Sequence, residues 1–260
     1  MNIRMKINIF LAVLVMSLTW NTVQSQDVKK FAVVVGCADY QMQGLDLRYS
    51  DDDAYRYYAY LLSCEGGAIP SENIAILVDE AATKQNIIKT MNDVYAKAGP
   101  NDMLIFFFSG HGSEGAFCPD DVSREYSSLL THEEIKAVFK QHPAKYKICF
   151  ADACYSGSIY EGKPETTYTP SSQQETSIVI MMSSDPTETS AEHPKIRQGA
   201  FTYYLLKGLK GSADRNKDKI VTLEELFPYV KANVLQFTGN QQTPIIEGNA
   251  SKDMPIGTIN

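Results

Sequence analysis

Two short apolar segments, each ending in small residues and one reactive side chain, constrain the fold of this chain most strongly. The first runs from Leu104 to Gly112 and reads LIFFFSGHG; the second runs from Lys147 to Gly157 and reads KICFADACYSG. Both apolar stretches are too short for a buried helix and are typical of buried strands. Because parallel strands deliver their carboxyl ends to one edge of a sheet, we expect His111 and Cys154 to meet there.

The rest of the chain alternates between strand-like and helix-like segments, which predicts an α/β domain with right-handed crossovers. The sheet is expected to be mostly parallel, with about six strands, and to be flanked by helices. The predicted strands are Phe31–Gly36, Ile74–Val78, Met103–Phe108, Tyr146–Ala151, Thr176–Met182 and Thr243–Glu247. The predicted helices are Ser50–Ser63, Thr83–Lys97, Thr131–Gln141, Gly199–Lys210 and Thr222–Val234. No internal repeat or second domain is indicated.

The amino terminus has the pattern of a secretory signal. Arg4 and Lys6 precede the apolar stretch Ile9–Leu18, and small residues up to Ser25 suit a cleavage site. We therefore predict a signal peptide at residues 1–25, a domain at 26–260, and a secreted or periplasmic location. The alternative is an uncleaved anchor, but the apolar stretch is too short to span a bilayer, so no stable membrane insertion is expected.

Charge and cysteine content narrow the class of protein further. The formal net charge of −7, without basic clusters, argues against a nucleic-acid partner. Five cysteines leave at least one free thiol in a monomer. Cys37 and Cys149 lie on or beside predicted strands and suit inert core thiols, whereas Cys64 and Cys118 are left as an open pair.

A thiol beside an imidazole is the arrangement of a cysteine nucleophile and its acid/base partner. His111 can raise the thiolate fraction of Cys154 and later protonate a leaving amine. The peptide N–H of Gly112, with that of Cys154, could form an oxyanion hole. No side chain that would orient His111 is evident, and a backbone carbonyl could do so. The alternative is a buried structural cysteine and a turn histidine.

The motif Ser109-Gly-His111-Gly112 followed by Asp152-Ala-Cys154-Tyr-Ser-Gly157 resembles the caspase-like cysteine peptidases, and within them the metacaspase and bacterial branch. The 43 positions between His111 and Cys154 are close to the spacing of about 50 residues noted for caspases. The resemblance extends from about Phe31 to the carboxyl terminus. It implies a caspase-like three-layer sandwich and cysteine endopeptidase activity.

The same resemblance implies a preference for Arg or Lys before the cleaved bond, because metacaspase-like enzymes carry Asp at the position of Asp152. A pocket carboxylate would bind a guanidinium and repel an acidic substrate. The alternative role for Asp152 is capping the following turn. Asp39, Ser109 and Ser183 are further pocket candidates.

One residue argues against a preference for basic substrates. Arg48 lies near the place where caspases carry a pocket arginine, although a salt bridge to Asp51 or Asp52 would equally account for it.

The stretch from Gly157 to Glu175 is long, polar and without an apolar period. Caspase-like enzymes have their processing loop at this point, so self-processing is expected here. Lys163 is the basic residue of this loop, although Pro164 after it would hinder cleavage. Arg197 is a second candidate for self-cleavage.

Residues 214–225 resemble an EF-hand loop, with oxygen ligands expected from Asp214, Asn216, Asp218 and Glu225. Lys219 occupies the position where the EF-hand needs glycine for a sharp turn. The alternative is an Asp/Asn-rich turn that caps the next helix. We expect no cofactor to be required, with Ca²⁺ as an open candidate.

These patterns together predict an exported cysteine endopeptidase that cleaves peptide or protein substrates after a basic residue through a Cys–His dyad. Two alternatives remain open. One is a catalytically silent caspase-fold module that binds or regulates a partner. The other is a cysteine hydrolase or transpeptidase that acts on a non-protein amide.

Overall fold

The computed structural model describes residues 28–123, 128–155, 178–184 and 192–259. The predicted signal peptide, residues 1–25, lies outside this part of the chain. Within the described ranges, no helix is both long enough and apolar enough to cross a membrane.

The centre of the molecule is a mixed, mostly parallel sheet, as the sequence predicts. Its main strands are β1 (Lys30–Gly36), β2 (Ile74–Val78), β3 (Met103–Ser113), β6 (Tyr146–Tyr155), β7 (Ile178–Met182) and β11 (Ile245–Asn249). Their order across the sheet is β11-β7-β6-β3-β1-β2, and every neighbouring pair is parallel except β11 with β7. The short strands β4 (Ala116–Phe117) and β5 (Leu130–Thr131) extend the sheet from the end of β3.

Two small antiparallel pairs lie outside this sheet. They are formed by β8 (Glu192–His193) with β9 (Gln198–Gly199), and by β10 (Ile220–Thr222) with β12 (Pro255–Thr258). The helices are α1 (Ser50–Leu62), α2 (Lys84–Tyr95), α3 (His132–Gln141), α4 (Ala200–Lys207) and α5 (Leu223–Thr238).

The central strands are buried on both faces, which explains their nearly continuous apolar sequences. Along β3, Phe106 and Phe108 pack into the apolar core beneath α2 and α3. Ile105 and Phe107 point to the opposite face, into the core beneath α1, α4 and α5. Helices therefore cover both faces of one sheet, and the predicted three-layer α/β sandwich is confirmed.

The site-forming strands are longer than predicted. β3 continues five residues beyond the predicted end at Phe108, and β6 continues from Ala151 to Tyr155. His111 and Cys154 thus lie within paired strands and not in loops that follow them. Small residues and histidine have low strand propensity, so tertiary pairing between the two strands overrides the local preference.

Smaller differences occur at the ends of other elements. Ser50 lies inside α1, whose N-cap is Tyr49, so the predicted cap is wrong by one residue. The predicted capping box that opens α3 at Thr131 is confirmed. Among the described residues, Cys37, Cys118 and Cys149 are buried and Cys64 is exposed, and Cys64 and Cys118 form no disulfide with each other.

Candidate active site

The pairing of β3 with β6 brings the two reactive positions together. Their parallel register places Ser109 beside Asp152, His111 beside Cys154 and Gly112 beside Tyr155. Neighbouring strands are about 4.8 Å apart. The backbones of His111 and Cys154 are therefore direct neighbours at the carboxyl edge of the sheet, as the two sequence motifs predict.

A backbone carbonyl holds the imidazole of His111. The Nε2 atom lies 2.8 Å from the carbonyl oxygen of Leu45 in the loop after β1. A carbonyl oxygen only accepts hydrogen bonds, so Nε2 carries the proton when the ring is neutral. The lone pair of the neutral ring is then on Nδ1, which is buried. This is the tautomer that a histidine needs to accept a proton through Nδ1.

The hydroxyl of Tyr40 forms a hydrogen bond with the backbone of the same segment. It accepts a hydrogen bond from the backbone N–H of His111 at 2.8 Å and donates to the carbonyl of Cys118 at 3.1 Å. A Cβ atom on Gly110 would lie 2.6 Å from this hydroxyl. Glycine is therefore required at position 110, because any side chain would displace the tyrosine that fixes the histidine backbone.

Asp152 is buried beside this edge and faces the helical layer of α1 and α4. Its Oδ2 atom accepts hydrogen bonds from the backbone N–H and the hydroxyl of Thr202, at 2.9 and 2.8 Å. Thr202 lies in the first turn of α4, so the helix amino terminus also favours this negative charge. Both bonds come from Thr202 of α4, and they hold the carboxylate in one orientation.

A second buried acid, Asp53 of α1, lies next to Asp152. Asp53 is 1 % exposed, and its Oδ2 atom accepts hydrogen bonds from the Gly199 N–H at 3.0 Å and the Ser109 hydroxyl at 3.2 Å. A Cβ atom on Gly199 would lie 2.0 Å from Oδ2 of Asp152 and 3.0 Å from Oδ2 of Asp53. Both carboxylates thus pack against one glycine, which must lack a side chain.

The electrostatics of this acid pair are unfavourable without a cation. Burial, and then the neighbouring charge of Asp152, raise the pKa of Asp53 well above its usual range. The hydrogen bonds from Gly199 and Ser109 lower the pKa of Asp53 but do not cancel these effects. A cationic group bound between the two carboxylates would favour their ionised forms.

Two residues predicted for the substrate pocket, Ser183 and Asp39, have hydrogen-bond partners within the protein. Ser183 is fully buried, and its hydroxyl accepts a hydrogen bond from the Ala153 N–H and donates to the Ala153 carbonyl. These two bonds hold the end of β6, and a pocket role for Ser183 stays a prediction. Asp39 is exposed, and its described bond is from its own N–H to the Asp79 carboxylate. A pocket role for Asp39 stays a prediction, and the acid that lies beside Asp152 is Asp53.

The predicted calcium ligands form a loop that satisfies its own oxygens. Asp214 accepts hydrogen bonds from the N–H groups of Lys217 and Lys219, at 2.8 and 3.1 Å. Lys219 adopts the left-handed φ of 70° that glycine usually supplies at this position.

The other three residues bond in the same way. Asn216 accepts from the Asp218 N–H, Asp218 from the Ile220 N–H, and Glu225 from the Arg215 and Thr222 N–H groups. In the described parts of the chain, no group of three or more His, Cys, Asp or Glu side chains could hold a metal ion. Glu225 also forms, with Thr222, the capping box at the start of α5, as the alternative of a helix-capping turn predicts, and calcium binding stays a prediction.

Several predicted features lie outside the described residues. They are the whole of the Gly157–Glu175 loop, with Lys163 in it, and the start of the predicted strand at Thr176. Arg197 is described: it is exposed and has a left-handed φ of 49°. Arg48 is also exposed. Asp52, one of its two predicted salt-bridge partners, lies 4.0 Å from Arg56 in the next turn of α1.

Comparison with known proteins agrees with this geometry. A family model described as "Caspase domain" matches residues 29–255. The chain belongs to the caspase-like cysteine peptidase family. The fold is also similar to that of Caspase-1 from Spodoptera frugiperda, with a TM-score of 0.62 and 14 % identity over 90 % of this chain and 91 % of that one.

Curated relatives are more distant than the family match suggests. A protein from a Desulfuromonadales bacterium named "Probable protease" is 24 % identical over 85 % of this chain and 32 % of its own length. Metacaspase-1A from Neurospora crassa is 26 % identical over 51 % of this chain and 33 % of its own length. This chain thus spans about a third of the length of these relatives.

Sequence reasoning missed Asp53, although a signal was present. Asp51, Asp52 and Asp53 all suit the first turn of a helix, where the dipole favours acids. Only Asp53 shares the helix face of Ala54, Tyr57 and Leu61, which are buried. A charged residue on the apolar face of an amphipathic helix is expensive without a partner, and that cost marks it as a functional candidate.

Proposed function

We propose that this protein is a cysteine endopeptidase in which Cys154 is the nucleophile and His111 is the acid/base. The observation that carries the proposal is the register that sets His111 beside Cys154, with the Leu45 carbonyl on Nε2. The chain's family membership supports it.

The reaction follows from these positions. Nδ1 of His111 accepts the thiol proton, and the thiolate attacks the substrate carbonyl. The N–H groups of Gly112 and Cys154 stabilise the resulting oxyanion. The imidazolium then protonates the leaving amine, and water, deprotonated by the same histidine, hydrolyses the thioester and releases the second product.

The preferred substrate carries Arg or Lys before the cleaved bond. Asp53 and Asp152 together present two buried carboxylates, fixed by Ser109, Thr202 and Gly199. A guanidinium can bond both carboxylates at once and relieve their mutual repulsion. An acidic substrate side chain would add a third negative charge to a site of low dielectric.

Purified protein assayed on otherwise identical P1-Arg, P1-Lys and P1-Asp fluorogenic peptides tests both parts of the proposal. We expect hydrolysis of the first two only, and complete loss in Cys154→Ala. Equal hydrolysis by Cys154→Ala would reject the nucleophile assignment. A folded protein without turnover on any peptide would favour a silent binding module, and product masses would identify action on a non-protein amide.

Export and self-processing belong to the same proposal. The basic residues, apolar stretch and small residues before Gln26 support export. Self-cleavage is best placed in the loop after Gly157, because Gln198 and Gly199, which follow Arg197, are buried. Intact-mass measurement of wild type and Cys154→Ala after expression tests it: new fragments in the wild type alone support self-processing, and identical masses argue against it.

A further inference from the structure

A cavity of about 570 Å³ is lined by residues of α1, β9 and α4. Its volume is within the range of small-molecule sites. Apolar and aromatic groups such as Tyr60, Tyr203 and Leu206 form part of its lining. Nothing in the peptidase mechanism uses this cavity.

Positive charge dominates the charged groups of the lining. Arg56, Lys207 and Lys210 line the cavity together with one acid, Glu65. Glu65 is already within 3.3 Å of Lys210. Among the described residues, Lys207 forms no ion pair, and the contact of Arg56 with Asp52 is a loose 4.0 Å. The cavity therefore has two cations in excess of its acid.

A buried amide in the lining provides a second, independent observation. Gln198 lines the cavity and is 5 % exposed. Its Nε2 group is buried and has no hydrogen-bond acceptor within the described ranges. A buried N–H group without an acceptor costs free energy, so an oxygen atom of a ligand would be stabilising at this point.

We propose that this cavity binds a compact polyanion, such as a phosphate compound or a polycarboxylate. Its clustered oxygens would accept hydrogen bonds from the Gln198 amide and pair with Arg56 and Lys207. An aliphatic or aromatic portion would contact Tyr60 and Tyr203. Phosphate and carboxylate ligands share this chemistry, and the experiment distinguishes them.

The cavity shares its walls with the acid pair. On β9, Gln198 lines the cavity while the next residue, Gly199, donates to Asp53. On α4, Tyr203 lines the cavity while the preceding Thr202 donates to Asp152.

α1 makes the third connection, because Arg56 of the cavity lies one turn after Asp53. An anion that holds these three elements together also fixes the carboxylates that would bind a basic substrate side chain. It therefore regulates the acid pair, and this consequence rests on the proposed peptidase function.

Calorimetric titration of full-length Cys154→Ala with pyrophosphate and, separately, with citrate in 0.15 M salt tests binding without any need for activity. We expect saturable one-to-one binding of at least one probe, and the tighter probe identifies the ligand class. Lys207→Ala should weaken binding about tenfold, whereas Lys252→Ala, at an exposed lysine outside the cavity, should not. Absence of saturable binding by both probes, or equal affinity in the Lys207→Ala protein, would overturn the proposal.

Gln198→Leu tests the contribution of the amide to binding. The comparison with Lys207→Ala does not depend on whether the Gln198→Leu protein folds. In the active enzyme, the bound probe should lower KM for the P1-Arg peptide by about fivefold and leave kcat unchanged. Binding without an effect on KM would reject the coupling to the acid pair. A protein that binds the probe but cleaves no peptide would reject the peptidase function and not the cavity site.

Discussion

Two groups of carboxylates in this molecule are stabilised in opposite ways. In the loop of residues 214–225, backbone N–H groups of the loop donate hydrogen bonds to the acids. Burial would raise the pKa of Glu225, but its hydrogen bonds with Thr222, Arg215 and Asn216 outweigh this effect, so this pKa lies below its usual value. Beside the Cys–His edge, burial and a like charge instead raise the pKa of Asp53 well above its usual range. The loop acids are stabilised by hydrogen bonds from the chain itself, whereas the pair Asp53 and Asp152 would be stabilised by a bound cation.

This difference teaches how to separate a structural acid cluster from a recognition site. Residues 214–225 contain more acids than the pocket and resemble a metal motif, yet their oxygens are already satisfied by the chain. Asp53 and Asp152 are buried side by side, so their mutual repulsion remains and a bound cation would relieve it. The number of carboxylates is therefore a weaker indicator of function than their unrelieved burial.

Replacing one acid in each region should give the largest contrast. Asp53→Asn keeps the shape of the pocket but removes one charge, so kcat/KM for a P1-Arg peptide should fall about 10- to 100-fold. Asp218→Asn in the loop should change kcat/KM by less than about twofold. Steady-state kinetics check both, and equal losses in the two variants would contradict the assignment of the acid pair.

Adding a methyl group at the contact point of the two acids should have the next largest effect. Gly199→Ala places a Cβ atom against both carboxylates, so kcat/KM should fall about tenfold and the free energy of unfolding by roughly 1–3 kcal/mol. Gly99→Ala is the matched control, because its Cβ atom would have an ordinary contact of 3.5 Å with Asp102. Urea unfolding and kinetics on both variants check this, and a fully active Gly199→Ala protein would show that the acids are not packed on this glycine.

The raised pKa of Asp53 predicts a pH dependence that the loop acids should not share. At low pH the pair is protonated and binds guanidinium weakly, so the ratio of kcat/KM for P1-Arg over uncharged P1-citrulline should rise with pH. Using this ratio cancels the titration of Cys154 and His111, which act on both peptides. Asp53→Asn should show a flatter ratio, and a wild-type ratio that falls with pH would contradict the sign of the effect.

The same pKa shift affects stability in the opposite direction. Native Asp53 holds its proton more tightly than the unfolded chain does, so rising pH through and above the ordinary carboxyl range favours the unfolded chain. The melting temperature of Asp53→Asn relative to wild type should therefore increase across this range. Thermal unfolding at several pH values measures it, and a constant difference would indicate that Asp53 is not desolvated.

The smallest expected effect is in the loop. Lys219→Gly relieves the left-handed φ of 70° and should raise the free energy of unfolding by about 0.5 kcal/mol, after the greater flexibility of glycine in the unfolded chain is counted. Lys252→Gly, at an exposed lysine whose φ is not positive, should lower it instead. Added calcium or a chelator should leave both melting temperatures unchanged, whereas a calcium-dependent increase would restore the metal-site interpretation.

The sequence predicts those parts of the fold and site that depend on local pattern. Apolar strands such as Met103–Phe108, their alternation with helices, and the residues that follow them were sufficient to place His111 beside Cys154. Contacts between residues that lie far apart in the sequence could not be predicted in this way. Asp53 and Asp152 are 99 positions apart, and Asp53 also satisfies a local role at the start of α1.

Strand extension and antiparallel pairing depend on the same kind of tertiary information. Ser109 to Ser113 have little strand propensity, and only the pairing with β6 and β4 keeps them extended. The direction of β11 is likewise set by its pairing with β7, since the alternation of strands and helices by itself suggests a parallel sheet.

The most direct test of the central claim, that His111 activates Cys154 across adjacent strands, is the rate of alkylation of Cys154 by iodoacetamide as a function of pH, followed by peptide mass spectrometry. In the wild type, reaction should already be fast near neutral pH, with an inflection below the value of about 8.5 of a free thiol. His111→Ala should move this inflection upward and slow the neutral-pH reaction. Identical profiles for the two proteins would show that the imidazole does not act on this thiol and would contradict the account.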